Sequence, residues 1–479
     1  MQRMHESILQ IMNNKKTLIF FIVCLLVAGV FIKCYYIDYT ETWVRQHDVI
    51  GFGAEEGHAA YIEYILVNRH LPDFDPTTKW AFFQPPLHHI ISAVVLGALY
   101  KSGVNEGVAQ EITQVPTCIY MILLILVSFY MFLKAKGVVR INASNMKGKL
   151  ITEGGVCFLA IVGLHPLFTL LSGSINNDAL ALILSLVALV IGYLWYEKPS
   201  IFRTVLLALT IGLAMVSKLT GGLVAVPIAM LMIIKFFGFD GGITSDGHAK
   251  VKLIDRITFF FSKYFAKAIV FAAIVFPLGL SFSIYNSLKW GMPFNYIPAV
   301  GENFPESVTM TKRLFDVSTG KVYTYLTTRG DAFDEYNVIL AIIKTSLFGE
   351  YSFEEVSRWM KPLSIILFAS GVILMGVALF ATLYMLFSKK SKLSSQWKII
   401  LAGTYFTYLA AYLYFALSSN NFSAQDFRYA AICIVCEGIF IALFVDTVKN
   451  KKIKNAVMLT SLVFAASAFF TYALLGLKS

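Results

Sequence analysis

The stretch TLIFFIVCLLVAGVFIKCYYI, residues 17–37, decides the fold class of this chain. A helix of about 20 apolar residues crosses the hydrocarbon core of a bilayer, and this stretch has that length. It follows Lys15 and Lys16, as the apolar part of a signal peptide does, yet no small-residue cleavage site closes it and further apolar runs come after it. We therefore interpret it as a retained first transmembrane helix.

Similar apolar runs recur along the whole chain, which is 57% hydrophobic and 14% charged, with a mean hydropathy of +0.68. This composition is far more apolar than that of a soluble domain. The sequence predicts an all-α polytopic membrane helical bundle, and without visible repeats or linkers we expect one domain over 1–479. Eleven transmembrane helices are predicted at 17–37, 111–133, 150–172, 178–196, 201–216, 220–237, 263–288, 361–388, 399–418, 429–447 and 454–475.

The distribution of charge predicts the orientation of the bundle. The net charge is +11, and the basic residues cluster between apolar runs, as in 134–149, which has five basic and no acidic residues. The segment 38–110 has nine acidic and four basic residues. The positive-inside rule then places the N-terminus in the cytoplasm, with 38–110 and 289–361 as extracytoplasmic loops, in the cell membrane. Short basic clusters between apolar runs are typical of cytoplasmic loops, so we expect no nucleic acid partner despite the positive net charge.

The 38–110 segment is the one chemically dense region of the chain. Residues 47–89 contain five of the eight histidines and most of the segment's acidic residues. Within it, 57–70 has the period of an interfacial helix, with His58 off its apolar face. The run 87–100 follows two prolines, a favourable helix start, but it is too short for a confident span.

Three carboxylates of this segment are candidates for catalysis. Asp48 and the pair Glu55 and Glu56 lie where a general base could meet a substrate hydroxyl at the membrane surface. The alternative is an acidic loop that is simply solvated. A fourth carboxylate, Asp178, follows Asn176 and Asn177 at the start of a predicted helix, where it either belongs to a helix cap or holds the acceptor or a metal.

Two cations interrupt apolar runs at turns predicted to face outward. Lys218 and Arg428 could together clamp a phosphate whose lipid tail lies in the bilayer, with Lys344 as a weaker member of the set. The alternative is that each side chain snorkels to the interface. Glu437 lies about nine residues past Arg428, near the bilayer midplane, as either a functional carboxyl or a polar contact between helices.

Several short motifs, in this order, resemble the GT-C superfamily of polyprenyl-phosphate-sugar-dependent glycosyltransferases, which includes protein O-mannosyltransferases and aminoarabinose transferases. The resemblance covers most of the chain and is clearest up to about residue 225. The motifs are the acidic first loop, the interfacial helix, Gln84-Pro85-Pro86-Leu87-His88-His89, Ser172-Gly173-Ser174-Ile175-Asn176-Asn177-Asp178, Ser217-Lys218 and Phe427-Arg428-Tyr429.

The resemblance implies roles for particular residues. The family's catalytic carboxylate falls on Asp48, or on Glu55 or Glu56, and its second acidic site on Asp178. Many relatives have an Asp-Glu pair directly before the interfacial helix, where this chain has Glu55-Glu56. The family's donor-phosphate cations fall on Lys218 and Arg428. Further candidates for substrate or donor binding, apart from the resemblance, are His58, His88, His89, Asn177 and Lys344.

The function implied is transfer of a sugar from a polyprenyl-phosphate donor to a hydroxyl of a cell-surface glycan, lipid or protein, with inversion. Phosphate is a stable leaving group, so one base and a cationic clamp suffice, unlike glycoside hydrolysis with its two carboxylates. The sequence indicates no cofactor and no set of metal ligands, and whether the reaction requires a divalent cation is left open. A transporter or flippase of lipid-linked sugars, for which Glu437 is the best support, and a non-catalytic scaffold are the competing classes.

Overall fold

A computed structural model shows that the protein is a helical bundle. The described residues are 14–44, 49–137, 151–242, 251–294, 296–298, 304–324, 328–329, 332–333, 335–349 and 358–478. The helices in the first half are α1 Lys15–Tyr39, α2 Gly57–Asn68, α3 Leu87–Lys101, α4 Glu106–Ile112, α5 Val115–Ala135, α6 Glu153–Phe158, α7 Pro166–Leu170, α8 Asp178–Glu197, α9 Ile201–Ser217 and α10 Ala225–Phe236.

The second half is also helical, with one small exception. Strands β1 Thr328–Arg329 and β2 Ala332–Phe333 pair antiparallel. The remaining helices are α11 Leu253–Lys263, α12 Phe265–Trp290, α13 Met310–Phe315, α14 Val338–Phe348, α15 Met360–Phe387, α16 Ser395–Ser418, α17 Ile432–Thr447 and α18 Lys451–Leu475. Short 3-10 turns cover Pro76–Thr78, Leu219–Val224, Ser423–Gln425, Phe427–Ala430 and Gly476–Lys478, and Leu159–Gly163 forms a π-helical turn.

The helices long and apolar enough to cross a membrane make this an integral membrane protein. Among the described residues they number eight, or nine if the pair Ser423–Ala430 and Ile432–Thr447, bent by 47°, forms one span. The predicted count of eleven is therefore not confirmed. The run predicted at 201–216 forms a helix of 17 residues, α9, which is shorter than a full span.

The span predicted at 150–172 is a broken helix. Helix α6 passes into the π-helical turn at Leu159–Gly163, and α7 starts again at Pro166. Proline has no backbone N–H and cannot continue a helical ladder, so the break at this position follows from the sequence. The His165 side chain caps the restart, because its Nδ1 accepts the Leu167 N–H at 3.3 Å.

Small residues bring the central helices close together. A Cβ built on Gly154 of α6 would lie 2.3 Å from the Ala442 carbonyl oxygen of α17, and one on Gly29 would lie 2.8 Å from the Gly163 carbonyl oxygen. Membrane helices associate through such backbone contacts, because lipid provides no hydrophobic drive between helices. Glycine is therefore required at these crossings.

The 38–110 segment folds into its own small helical layer. The predicted helix at 57–70 is present as α2, and the run 87–100 forms α3. The face expected to lie in the membrane interface packs instead on α3, since Ala59 and Ile62 are fully buried with Ala93 and Leu96. His58 was predicted off this face, but it too is buried.

Candidate active site

An ion pair joins two helix ends where the 38–110 layer meets the bundle. Helix α8 begins at Asp178, and Lys218 directly follows the end of α9. The Lys218 ammonium donates to Asp178 Oδ1. Both side chains are largely buried, at 13% and 9% exposure, so the charges attract each other more strongly than on an open surface.

Arg428 brings a second cation and a second carboxylate to the same place. Its Nε lies 3.9 Å from Asp178 Oδ2 and 3.3 Å from Asp426 Oδ2. The backbone N–H of Arg428 also donates to Asp426 Oδ1 at 2.8 Å. Asp178, Lys218, Asp426 and Arg428 form a group with two positive and two negative charges, which we call the charge cluster.

Tyr429 forms one wall of the charge cluster. The Lys218 Nζ lies 4.8 Å from the centroid of its ring, and the Arg428 guanidinium lies 5.3 Å from it. The negative face of an aromatic ring attracts cations, with the strongest effect where water is displaced. The ring therefore stabilises both cations while leaving their N–H groups to oxygen acceptors.

Asn177 holds the two helix ends in register. Its side-chain Nδ2 donates to the Ser217 carbonyl at 2.7 Å, and the Ser217 hydroxyl donates to the Asn177 carbonyl at 3.2 Å. The same Nδ2 lies 3.3 Å from Gln84 Oε1. Asn177 was predicted to contact substrate, and here it joins α8, α9 and the 38–110 layer.

The turn before α8 is fixed from two sides. The Asp178 N–H donates to Asn176 Oδ1 at 3.1 Å, whereas the side chain of the N-cap residue itself, Asn177, makes no capping hydrogen bond. The Thr117 hydroxyl donates to the Ser172 carbonyl at 3.0 Å. The turn therefore presents the Asp178 carboxylate from a rigid support.

His88 attaches the 38–110 layer to this turn. Its Nε2 donates to the Ile175 carbonyl at 2.7 Å, which fixes the neutral tautomer with the proton on Nε2. Burial lowers the pKa of His88 to about 4, and the Ile175 hydrogen bond and the nearby Asp178 carboxylate offset only part of this effect. His88 is therefore neutral at physiological pH.

The other two candidate histidines stack against each other inside the layer. His58 Nδ1 and His89 Nε2 are 2.8 Å apart, and their rings are nearly parallel with centroids 5.1 Å apart. Tyr61 stacks on His89 with a centroid distance of 4.3 Å. Burial lowers the pKa of His89 well below its usual value. These side chains join α2 to α3.

The carboxylates predicted as bases lie at the surface or beyond the described part of the chain. Asp48 lies outside the described residues. Glu55 and Glu56 are exposed, and Glu56 Oε2 accepts the Trp80 N–H at 3.0 Å. The assignment of the base to Asp48, Glu55 or Glu56 stays a prediction.

Lys344, predicted as a weaker phosphate ligand, forms an ion pair of its own. Its Nζ lies 2.5 Å from Glu335 Oε2, with exposures of 0% and 2% for the two side chains. The Thr319 hydroxyl is 3.1 Å from the same Nζ. This pair ties the stretch just before α14 to α14 itself. Helix α14 contacts the turn of Arg428, because the Phe427 N–H donates to Thr345 Oγ1 at 2.9 Å.

Glu437 faces a small cavity inside the bundle. The cavity has a volume of about 60 Å³, and its polar lining groups are Glu437, His165 and Ser346. Glu437 is partly buried and lies near Tyr405. Its carboxyl therefore faces the bundle interior at this cavity.

Sequence reasoning did not assign roles to three residues of this site. Asp426 pairs with Arg428, Ser217 exchanges hydrogen bonds with Asn177, and Gln84 contacts Asn177. Gln84 and Ser217 belong to runs that had been singled out, and Asp426 directly precedes one, which is the only signal that could have found them. In the described part of the chain, no group of three or more His, Cys, Asp or Glu side chains could hold a metal ion.

Comparison with known proteins identifies the fold. No family model and no curated protein matches the chain. The crystal structure of ArnT from Cupriavidus metallidurans in the apo state matches with a TM-score of 0.51 at 11% identity, covering 95% of this chain and 76% of that one. The structure of ArnT from the same organism bound to undecaprenyl phosphate gives a TM-score of 0.48 at 13% identity, with the same coverage. The apo-state match shows that this chain has the fold of that structure, and it confirms the predicted all-α polytopic bundle.

Proposed function

We propose that this protein is a membrane glycosyltransferase that moves a sugar from a polyprenyl-phosphate donor to an acceptor hydroxyl with inversion of configuration. The observation that carries the proposal is the charge cluster at the junction of α8, α9 and the turn of Arg428. Buried charges are costly within a membrane bundle and mark functional sites by default. A GT-C-like fold with such a cluster at one end favours a lipid-linked sugar as the substrate.

The cluster has the chemistry to stabilise a phosphate leaving group. Lys218 and Arg428 are held by carboxylates. The singly charged phosphodiester of the donor, entering between them, would take over part of these contacts through charge-assisted hydrogen bonds, while Asp178 and Asp426 keep both cations in place. The two cations would then stabilise the second negative charge that develops on the phosphate as the sugar leaves. The side chains need little rearrangement at the moment of reaction, as effective electrostatic stabilisation requires.

The transfer needs one base. The acceptor oxygen attacks the anomeric carbon opposite the phosphate, the carbon–oxygen bond to phosphate breaks with its electron pair leaving on the phosphate, and a carboxylate takes the acceptor's proton. We assign the base to Asp48 first and to Glu55 or Glu56 as alternatives. Asp178 then serves to hold Lys218 and Arg428 at the phosphate.

The site faces away from the cytoplasm in this proposal, in the cell membrane. The support is the charge asymmetry in the sequence between the acidic 38–110 segment and the basic segments between later apolar runs. A cysteine introduced at Thr77 is expected to react with an impermeant thiol reagent in intact cells. A cysteine at Ser200, which precedes α9 at its other end, is expected to stay unlabelled; the reverse pattern would overturn the orientation.

Transfer by the purified protein tests the function directly. Detergent-solubilised protein is incubated with a radiolabelled polyprenyl-phosphate sugar and a membrane extract as acceptor. Release of polyprenyl phosphate together with transfer of the label is expected for the wild type and is expected to be lost in the Asp178→Asn variant. Wild-type protein that moves the intact labelled lipid between leaflets of a vesicle without releasing polyprenyl phosphate would overturn the proposal.

The second candidate function is that of a flippase or transporter. The observation favouring it is the cavity of Glu437 and His165, bordered by the two interrupted helical segments at Leu159–Gly163 and Phe427–Ala430. Broken helices around a midplane carboxyl are typical of transport sites. Glu437→Gln is expected to leave glycosyl transfer intact if the enzyme proposal holds, and to abolish lipid movement if transport is the function.

A further inference from the structure

Three partly exposed aromatic side chains meet beside the charge cluster. Trp80 and Phe83 pack edge to face with ring centroids 5.7 Å apart, and Phe83 and Tyr296 do the same at 5.4 Å. The Tyr296 hydroxyl reaches the Thr77 carbonyl at 3.5 Å. The 38–110 and 289–361 segments therefore join at an aromatic surface, which we call the aromatic platform.

The platform is adjacent to the charge cluster through the chain itself. Phe83 precedes Gln84, whose Oε1 lies 3.3 Å from Asn177 Nδ2, and Asn177 precedes Asp178. Consecutive Cα atoms are about 3.8 Å apart. Phe83 is therefore next to Gln84, which contacts Asn177, and Asn177 is next to Asp178 of the charge cluster. A ligand with phosphate at the cluster would extend its next group toward the platform.

The backbone holds the platform in place before any ligand arrives. Glu56 Oε2 accepts the Trp80 N–H, and the Trp80 carbonyl accepts the Gly57 N–H, both at 3.0 Å. Ala81, the next residue, has φ +66° and is buried. A left-handed conformation at a non-glycine residue persists only where the surroundings impose it. The rings are therefore pre-organised.

The end of α12 brings polar groups to the same region. Helices α9 and α12 both end toward the 38–110 layer. Ser217, the last residue of α9, is bonded to Asn177 beside Gln84, and Tyr296, six residues past the end of α12, packs on Phe83. A Cβ built on Gly279 of α12 would lie 2.6 Å from Met215 Sδ of α9. At 1.5 Å per residue, Asn286 lies about 10 Å beyond Gly279 while Lys218 lies about 4.5 Å beyond Met215. Asn286 is thus roughly one helical turn past Lys218, on the side of the 38–110 layer.

Two buried donors of this helix end have no hydrogen-bond partner. They are Asn286 Nδ2 and Trp290 Nε1, for which no acceptor exists among the residues that the structure describes. Asn286 is only 2% exposed. The two residues are four apart and share one face of the helix. Buried donors are nearly always satisfied in folded proteins, so an acceptor from outside the described chain is expected here.

A sugar ring fits both halves of this arrangement. Its hydroxyl oxygens accept hydrogen bonds from buried N–H donors, and its C–H groups pack on the negative face of an aromatic ring. Tryptophans that anchor a protein in the membrane interface keep their N–H at the wet headgroup level. The Trp290 Nε1 is buried instead, which argues for a ligand over an anchor.

We infer that Trp80, Phe83, Gln84, Asn286, Trp290 and Tyr296 form a subsite that binds a sugar ring next to the charge cluster. The inference rests on the proposed function and adds to it the part of the substrate that these residues recognise. The ring belongs either to the donor, directly attached to the phosphate, or to a glycan acceptor. The two sources are separated by experiment.

The test compares binding of two lipids that differ only in the sugar. Dissociation constants are measured for polyprenyl phosphate and for the polyprenyl-phosphate sugar, with wild type, Phe83→Leu and Asn286→Leu. If the subsite binds the donor sugar, Phe83→Leu and Asn286→Leu are each expected to bind the sugar-bearing lipid about tenfold more weakly than the wild type does. Their dissociation constants for the sugar-free lipid should stay within twofold of the wild-type value. Phe83→Tyr retains the ring and is expected to bind both lipids as the wild type does.

An acceptor-sugar subsite gives a different pattern. Both lipids then bind normally to the variants, while KM for a glycan acceptor rises about tenfold. Asn455→Leu is the control for loss of packing, because Asn455 is a buried asparagine near the start of α18. It is expected to change neither the affinity for the two lipids nor KM for the acceptor. Folded variants with unchanged lipid binding and unchanged acceptor KM overturn the subsite, as does an equal loss of affinity for both lipids.

Failure of the function and failure of the subsite are distinguishable. Wild-type protein that binds neither lipid and transfers no sugar contradicts the proposed function. Wild-type protein that transfers sugar, with Phe83→Leu and Asn286→Leu variants of normal kinetics and binding, contradicts only the subsite.

Discussion

Asn177 and Ser217 exchange two hydrogen bonds, and each of them directly precedes one partner of the ion pair between α8 and α9. The Asn177 amide donates to the Ser217 carbonyl at 2.7 Å, and the Ser217 hydroxyl donates to the Asn177 carbonyl at 3.2 Å. Asp178 and Lys218 follow directly. The reciprocal pair therefore sets the distance between the two charges, and its loss should affect the site before it affects the bundle.

Substitution of Asn177 should loosen the charge cluster more than substitution of Ser217. Ser217→Ala removes one hydrogen bond, whereas Asn177→Ala removes the contacts with both Ser217 and Gln84. At about 1 kcal/mol per hydrogen bond, we expect Asn177→Ala to lower stability about twice as much. Thermal unfolding and KM for the donor are measured for both variants. Equal, negligible effects on both quantities would show that the helix ends do not depend on this pair.

Lys218 and Arg428 are expected to bind the donor phosphate. Lys218→Ala or Arg428→Ala should weaken donor affinity by about one to two decades, since each charge-assisted hydrogen bond contributes roughly 1.5–3 kcal/mol. The matched control is Lys235→Ala, because Lys235 forms a similar partly buried pair with Asp240 at 2.7 Å at the far end of α10. Normal donor affinity in both cluster variants, or an equal loss in the control, would assign the two cations to structure alone.

Asp48 is expected to act as the general base. Asp48→Asn preserves size but cannot accept a proton at neutral pH, so turnover should fall about 100-fold to 10,000-fold. Glu56→Gln retains an oxygen for the Trp80 N–H and should therefore keep the fold with milder loss, as should Glu55→Gln. Turnover with a defined donor and acceptor is the measurement. An inverted ranking would move the base to the glutamate pair, and three active variants would remove the base from this loop.

Gly154 is expected to be essential for the packing of α6 on α17. A Cβ at this position would lie 2.3 Å from the Ala442 carbonyl oxygen and 2.7 Å from Asp446 Cγ. Overpacking of this kind costs about 1–3 kcal/mol, so Gly154→Ala should lower the melting temperature. Gly376, with no atom within 4 Å of a Cβ built on it, provides the opposite case. Gly376→Ala should be neutral or stabilising, because alanine favours the helix by about 1 kcal/mol.

The His88 imidazole is expected to make the protein sensitive to acid. Burial lowers its pKa to about 4, whereas the unfolded chain has a histidine pKa of about 6.5. Between these values the unfolded state binds more protons than the folded state, so the free energy of unfolding falls as pH decreases from 6.5 toward 4. From pH 7 to pH 5 the loss is about 2 kcal/mol for this group.

Thermal unfolding at pH 7 and pH 5 checks this dependence. His88→Gln should be less stable at pH 7, because the Ile175 hydrogen bond is altered, but its melting temperature should change less between the two pH values. His70→Gln, a change of an exposed histidine, is expected to retain the wild-type difference. A His88→Gln protein with an undiminished pH difference would assign the acid sensitivity to other groups.

The sequence by itself determined the class of the fold. Hydropathy is a local property of each run, and apolar runs such as 17–37 can only be helices in a bilayer, where every backbone group must be satisfied within its own segment. The break in 150–172 was partly visible in Pro166, because proline cannot continue a helix. The π-helical turn before it, at Leu159–Gly163, had no signal in the sequence.

The sequence also identified individual residues of the site without their partners. Lys218 and Arg428 stood out because cations interrupt apolar runs, and Asp178 because it opens a helix. Asp426 did not stand out, since a carboxylate beside Arg428 looks like any residue of a polar turn. The sequence did not show that His58, His88 and His89 make contacts within the 38–110 layer and its supporting turn, and their role in substrate binding stays a prediction.

Only the tertiary structure decided which residues meet. Asn177 and Ser217 are 40 residues apart, and Gln84 and Asn177 are 93 apart. Such contacts depend on how α8, α9 and the 38–110 layer pack together, which no local pattern encodes. Lys344 illustrates the same limit: its role as a phosphate ligand stays a prediction, and the sequence did not show that Glu335 would be its carboxylate partner at 2.5 Å. A buried charge requires a partner, and the packing of the helices determines which one it finds.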